Sequence, residues 1–296
     1  MTHLNHTRRL ALMEEAVTVL FCLIDDAYAH LNPNAHRNES LKRLSDSEVI
    51  TLALFQQLRG TESQRSFLRD TERFFSHLFP GIAGLHPSSL NRRFRKLRRF
   101  LEPLRRDVVN ELVGEPETLI ADSTLLSVLH PRQVAQSAGF EGAQWARWGS
   151  FAVYGMKLHL LCSTNRVPLS YELTAANVAD VLLVRELLAG AGFGEGGVAR
   201  RLLGDLAYRS GELGEELARY GILLATEKAD RRAPVRQQVE VCFAALKGVF
   251  RMEGTLAKTL TGLATRIAAK VAAYTYGLYL NRLLGRPQGR IKELWA

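Results

Sequence analysis

A mixed five-stranded sheet flanked by helices, preceded by an all-helical segment, is the architecture predicted by this chain of 296 residues. Two observations predict this α/β class. Up to about residue 112, apolar residues recur at the spacing of helices that bury one face. From residue 113 onward, short apolar runs of strand length alternate with helical segments. Their order is β, β-β, α, β, α, β, α, the pattern of a mixed sheet covered by helices. The hydrophobic content, 47%, supports a substantial core. The expected boundary divides residues 1–112 from residues 113–296.

In the first part, "EEAVTVLFCLIDDAYAHL" has apolar residues at helical spacing. "LSDSEVITLALFQQLRG" opens with Ser45 followed three residues later by Glu48, the signature of a capping box. "SQRSFLRDTERFFSHLF" is a third helix, ended by Pro80 and Gly81. In "HPSSLNRRFRKLRRFLEPL", Ser88 or Ser89 is placed to cap a helix with the stripe Leu90, Phe94, Leu97 and Leu101. The rest of that helix is nearly all positive: Arg92, Arg93, Arg95, Lys96, Arg98 and Arg99. Residues 60–100 read as helix, loop, helix, without a short glycine turn. Groove insertion and backbone contact are both open for the basic helix, and a solvated charged face is the plainer alternative.

In the second part, "ETLIAD" is a short strand ending in Asp122. "FAVYGMKLHLLCST" and "VPLSYELT" form a hairpin about Asn165 and Arg166. "VADVLLVRELLAGAG" is a helix, "ARRLLGD" a strand ending in Asp205, "SGELGEELARYG" a helix and "ILLAT" a strand. After the basic loop "EKADRRAP" comes "RQQVEVCFAALK", with Pro234 suited to its first turn. At 100° per residue, Glu240 and Lys247 fall within about 40° of Arg236. The three share one narrow face beside the apolar stripe Val235, Val239, Cys242, Phe243, Leu246 and Phe250. A last helical region spans about 255–284.

The formal net charge is +9 and the pI about 9.7. A polyanion partner follows, with nucleic acid ahead of a membrane surface. The three cysteines, Cys22, Cys162 and Cys242, fit no metal-ligand spacing and suit a reducing compartment. No secretory signal is expected from "MTHLNHTRRLALMEE". "IAAKVAAYTYGLYLNRLL" is interrupted by Lys270 and Asn281, and reads as a buried helix and not a membrane span.

Asp122 and Asp205 each follow an apolar strand, where ligands gather in open α/β sheets. On parallel neighbouring strands they lie about one strand spacing apart, roughly 5 Å. Carboxylates that close are stable together when a divalent cation neutralises them, and oxygen-only ligands suit Mg²⁺ or Mn²⁺. A third carboxylate from a packed helix would complete a two-metal site able to hold both oxygens of an in-line phosphodiester displacement. Glu240 is a helix-borne candidate, and the plainer alternative for its charged line is the salt-bridged border of an amphipathic helix. The plainer alternative for Asp205 is a helix N-cap, with Ser210 as competitor.

These motifs together resemble the DDE transposases of bacterial insertion sequences. "LIADSTLL" is similar to the strand with the first acid. "YGMKLHLLCSTNRVPLSYELTAANVAD" is similar to the next two strands and the turn bearing Thr174, Asn177 and Asp180. "LLGDLAYRS" is similar to the Asp-x-Gly-Tyr motif, with Asp205 and Tyr208. "RQQVEVCFAALK" is similar to the Arg-x3-Glu-x6-Lys signature. The sequence departs from the family at Ala207, usually glycine, and at Ala233, usually tyrosine. The helical first part and the length look most like the insertion-sequence 982 family.

The resemblance implies a ribonuclease-H-like catalytic domain behind a DNA-binding helical region. It implies Asp122, Asp205 and Glu240 as catalytic metal ligands with two Mg²⁺ ions, and Arg236 and Lys247 as phosphate clamps. It further implies binding of double-stranded DNA, both element terminal inverted repeats and target, by a homodimer in the bacterial cytoplasm at the nucleoid. Lys157, Tyr208, Arg209, Lys228, Arg231 and Arg232 join the basic helix as candidate DNA contacts. His159 reads as structural. Trp145 and Trp148 lie in a glycine-bearing loop, "FEGAQWARWGSF", placed either to stack on a base or to pack on the sheet. A nuclease that cuts structured DNA without joining, and a non-catalytic DNA-binding regulator, are the rival readings.

Overall fold

A computed structural model of the chain describes residues 2–136, 139–193, 200–226 and 235–295. Lys228, Arg231, Arg232, Ala233 and Pro234 lie outside them, as does the side chain of Trp148. Two compact units result, one of residues 1–108, 248–256 and 265–296, the other of residues 109–247 and 257–264.

The first unit is helical. Its elements are α1 (Thr2–Leu31), α2 (Asp46–Leu58), α3 (Gln64–Phe75), α4 (Pro87–Leu97), the larger part of α5 (Leu101–Val113) and most of a C-terminal helix, Leu260–Leu283. The capping box is present: Ser45 Oγ accepts the Glu48 N–H at 3.0 Å, and Glu48 Oε2 accepts the Ser45 N–H at 2.5 Å. Helix α2 is buried almost all round, which suits a central core helix. Phe55, fully buried on it, meets Phe67, Phe75 and Trp295 edge to face, with centroids 5.7, 5.4 and 6.0 Å away. The stripe Leu90, Phe94, Leu97 and Leu101 is buried as expected. The cap of α4 differs: the helix starts at Pro87, and His86, not Ser88 or Ser89, is the N-cap. Proline at the first helical position needs no donor there and draws the start forward.

The second unit is built on a sheet of β1 (Thr118–Leu129), β2 (Gln144–Trp148), β3 (Phe151–Ser163), β4 (Pro168–Ala175), β5 (Arg201–Leu203) and β6 (Leu223–Ala225). There are six strands, not the expected five. The added strand β2 is "QWARW", read from the sequence as a loop because Gly142 and Gly149 flank it closely. Pairing with Phe151–Gly155 of β3 makes it a strand. Strand β4 takes up the same side of β3 at Met156–Cys162, while β1 runs antiparallel on the other side. Strands β5 and β6 continue from β1 in parallel. The order β4-β3-β1-β5-β6, antiparallel and then parallel, is consistent with a ribonuclease-H-like fold.

Helices α6 (Val184–Gly190), α7 (Gly211–Arg219) and Gln237–Gly248 complete this unit. Gly155 sits where β3 changes partners: a Cβ there would lie 2.0 Å from the Leu126 carbonyl oxygen. Among the described residues, no helix is long and apolar enough to cross a membrane.

Candidate active site

Asp122 lies inside β1, not at its end, because β1 continues to Leu129 along β3. The parallel pairing with β5 is what stops early, at Ile120 opposite Leu203. Asp122 and Asp205 each follow their member of that last pair by two residues. Beyond that pair the two acids are near enough for the charge of Asp205 to act on Asp122. Gly204 permits this turn, since a Cβ there would strike the Tyr208 ring at 2.8 Å.

Asp205 caps the single turn Leu206–Tyr208, its Oδ1 accepting the Ala207 N–H at 2.8 Å. Ser210 separately caps α7 through the Leu213 N–H. Asp122 Oδ1 accepts the Ser123 N–H at 2.8 Å.

The third acid arrives on the helix Gln237–Gly248. That helix buries Val239, Cys242, Phe243 and Leu246 and leaves Glu240 exposed in its first turn. Val235, expected on the buried stripe, is exposed. Arg236 precedes the helix: its carbonyl oxygen accepts the Val239 N–H at 3.3 Å, so the ladder opens with a tight turn. The hairpin turn holds the helix start in place, with Arg166 Nε donating to Gln238 Oε1 at 2.6 Å.

The electrostatics join these elements. Burial pushes the Asp122 carboxyl up to about 6; the Ser123 N–H and Arg236 pull it down, and the charges of Asp205 and Glu240 push it up. Tyr208 is buried, with a hydroxyl that has no hydrogen-bond partner among the described residues. Burial, then Asp180, Asp122 and Asp205, drive that hydroxyl far above its usual range. Asp122, Asp205, Glu240, Arg236 and Tyr208 thus form one electrostatic group, and half-buried Lys247 lies two turns further along the helix.

Among the described residues, no three carboxylate, imidazole or thiol groups converge as in a formed metal site. The donors are carboxylates, which suit hard cations such as Mg²⁺ and Mn²⁺. The raised Asp122 pKa records the burial and crowding that a divalent cation relieves. The carboxylates of Asp122, Asp205 and Glu240 therefore fit such an ion by chemistry, and would be the groups to hold it.

Other candidates are committed elsewhere. Lys157 donates to the Val178 carbonyl at 2.7 Å and pairs with Asp180 at 3.1 Å. Arg93 donates to the Leu44 carbonyl and pairs with Asp46, both at 2.7 Å. Arg92, Arg95, Lys96, Arg98, Arg99 and Arg209 are exposed. Trp145 is partly exposed on β2 and lies 5.3 Å from the Tyr154 ring. The part played by Asp180 was missed from sequence. It gathers Lys157 and His159, and the alternation of those two on β3 was the available signal.

His159 is fully buried, with Nε2 2.8 Å from Thr174 Oγ1. Its Nδ1 is 3.3 Å from Asp180 but too poorly aligned for a hydrogen bond. Burial, against the pull of Asp180 and with the push of Lys157, lowers its pKa to about 4. Unfolding restores a value near 6.5, so the unfolded chain binds more protons between pH 6.5 and 4. Stability from this residue is present above pH 6.5 and is lost as pH falls toward 4, by roughly 2–3 kcal/mol. Urea midpoints at pH 7 and 4.5 should show this loss, and His159→Gln should flatten it.

The family model for the transposase DDE domain matches residues 114–276, more than half of the chain. No curated protein matches it. A piggyBac transposase synaptic complex with hairpin DNA, solved by cryo-EM, is similar over 97% of this chain and 79% of its own. Identity is 12% and the TM-score 0.40. A Mos1 transposase paired-end complex with left transposon end is similar over 74% of this chain and 67% of its own, at 12% identity and a TM-score of 0.26. The match of residues 114–276 covers all three acids, and on its extent the chain belongs to the transposase DDE-domain family.

Proposed function

We propose that the protein cuts DNA at the ends of an insertion sequence and joins the freed 3′-hydroxyl to target DNA, with Asp122, Asp205 and Glu240 as its metal ligands. The carrying observation is the shared field of the three acids and Arg236, at the end of the parallel β1–β5 pairing. Two Mg²⁺ ions, or Mn²⁺, would neutralise charge on the attacking and leaving oxygens when bound. Arg236 holds a phosphate in bidentate fashion and Lys247 acts as a point charge further along the backbone. The buried Tyr208 ring fixes the turn that carries Asp205. Arg209 contacts DNA beside the site, and Lys228, Arg231 and Arg232, which precede Glu240 in the sequence, are further DNA contacts of this proposal.

The helical part, residues 1–112 in this proposal, binds the element ends. The protein acts as a homodimer on two ends, at the bacterial nucleoid, within the insertion-sequence 982 group. The test is incubation with the DNA flanking its own gene, a target plasmid and Mg²⁺. Cut ends joined to the target support the proposal; cut ends that never join indicate a nuclease. A non-catalytic DNA-binding protein is the second reading, favoured by the turning of Asp122 and Asp205 onto backbone N–H groups. Binding without cutting would establish it.

The basic helix gives a separate expectation. Arg92, Arg95 and Lys96 are exposed on α4, opposite its buried stripe. Replacing all three with alanine should weaken DNA binding and flatten its salt dependence by roughly 0.9 in log–log slope per lost phosphate contact. Fluorescence anisotropy across a salt series measures this, and an unchanged slope would remove α4 from the interface.

A further inference from the structure

The helical unit contains a cavity of about 40 Å³ with both polar and apolar walls, formed by α2, α4, the C-terminal helix and the chain at Gly254 and Thr255. Two cations line it. Lys270 is 5% exposed, and its ammonium donates to Gln57 Oε1 at 2.9 Å and to the Phe250 carbonyl. Arg266 stands one turn earlier and donates to the Thr255 carbonyl. Residues four apart share a helix face, where like charges repel. Neither cation pairs with a carboxylate among the described residues. Glu62, the one carboxylate among the described lining residues, is bound to Arg251 at 2.9 Å.

Buried charge without a counter-charge is costly. Burial, with Arg266 and Arg251 nearby, lowers the Lys270 pKa to about 8, against the opposing pull of Glu62. Burial and the charge of Arg95 lower that of Arg266. A negative occupant would relieve both cations at once.

We propose that this cavity is a phosphate-binding site, in which Lys270 and Arg266 grip one phosphate group. The volume holds about three waters, the scale of a single phosphate. Gln57 and Asn91 line the same space, and their amides are neutral donors by type, whereas the Gln56 amide is committed to the Thr61 and Glu62 carbonyls. Helix α4 supplies Leu90, Asn91 and Phe94 to the wall while carrying Arg92, Arg95 and Lys96 on its exposed side. Of these, Arg95 stands about 40° round the helix from Asn91 and its charge reaches Arg266, so a DNA strand contacting Arg95 would pass beside the cavity. The anion site stands without the catalytic reading; only DNA as the phosphate's source rests on it.

The test uses the full chain with sodium phosphate, ionic strength held constant with sodium chloride. Wild type should show a saturable rise in melting temperature that chloride does not produce. Lys270→Met and Arg266→Gln should each abolish it, and the second variant decides if the first fails to fold. A rise shared equally by all three proteins is general salt stabilisation; that result, or no rise in any, overturns the proposal. In a second arm, a short duplex is titrated across salt. A slope reduced by about 0.9 in the folded variants assigns the phosphate to DNA. An unchanged slope, with the phosphate response lost, assigns it to the free anion.

Discussion

Glu240→Gln should stop cleavage of end DNA while leaving DNA binding intact or tighter. The substitution keeps size and hydrogen bonding and removes the charge that would hold a cation. It also removes one repulsive charge from the neighbourhood of Asp122. Loss of several kcal/mol of transition-state stabilisation corresponds to about a thousandfold or more in rate. Binding should hold because Arg236 and Lys247 remain and the field on phosphate becomes less negative. Arg236→Ala and Lys247→Ala should fail differently, with a partial loss of rate and a higher DNA requirement, since positioning is lost but the acids stay. Glu240 is also an exposed acid in the first turn of its helix, a favourable place for a carboxylate whatever its role. Were that its whole part, the glutamine variant would lose about 1 kcal/mol of stability or less and cut at near wild-type rate. Cutting rate, DNA affinity and melting temperature on the three variants separate the two roles.

Phe55→Ala should be the most damaging single truncation in the helical unit, at about 3–5 kcal/mol. The ring is fully buried and touches three other aromatic rings edge to face. The Arg59 guanidinium also lies 5.7 Å from its centroid. Such a site cannot close over the void without moving several rings, so transfer and cavity costs add. Urea unfolding should show the midpoint fall with an unchanged slope. A loss below about 1 kcal/mol would mean that the aromatic cluster is loosely packed.

Local periodicity made much of this fold legible. The Ser45–Glu48 capping box, the hairpin about Arg166 with its positive φ of 65°, and the short apolar strand segments ahead of Asp122 and Asp205 were all written in short stretches. What stayed hidden depended on distant partners. Strand β2 is defined by β3, and its own five residues lie among turn glycines. His86 caps α4 because Pro87 takes the first helical position, a stronger constraint than a serine two residues on. Arg236 was placed on the face of Glu240 by a uniform rotation per residue, but the ladder begins only after it. Lys157 looked available to DNA until the turn bearing Asp180 folded over it. Lys270 was visible as an interruption in an apolar helix; its place beside a cavity required the tertiary structure. In the candidate site, residue types and spacing named the three acids, while their mutual field and the backbone contacts of Asp122 and Asp205 became visible only once folded.

The central claim is that three carboxylates work as one metal-dependent centre for phosphodiester chemistry. Its most direct test is cleavage of end DNA by the wild-type protein, first in EDTA and then across a titration of Mg²⁺ or Mn²⁺. The account predicts no cutting in EDTA and full recovery with either ion. It predicts little benefit from Zn²⁺, and DNA binding without chemistry in Ca²⁺. Full cleavage in EDTA would contradict it.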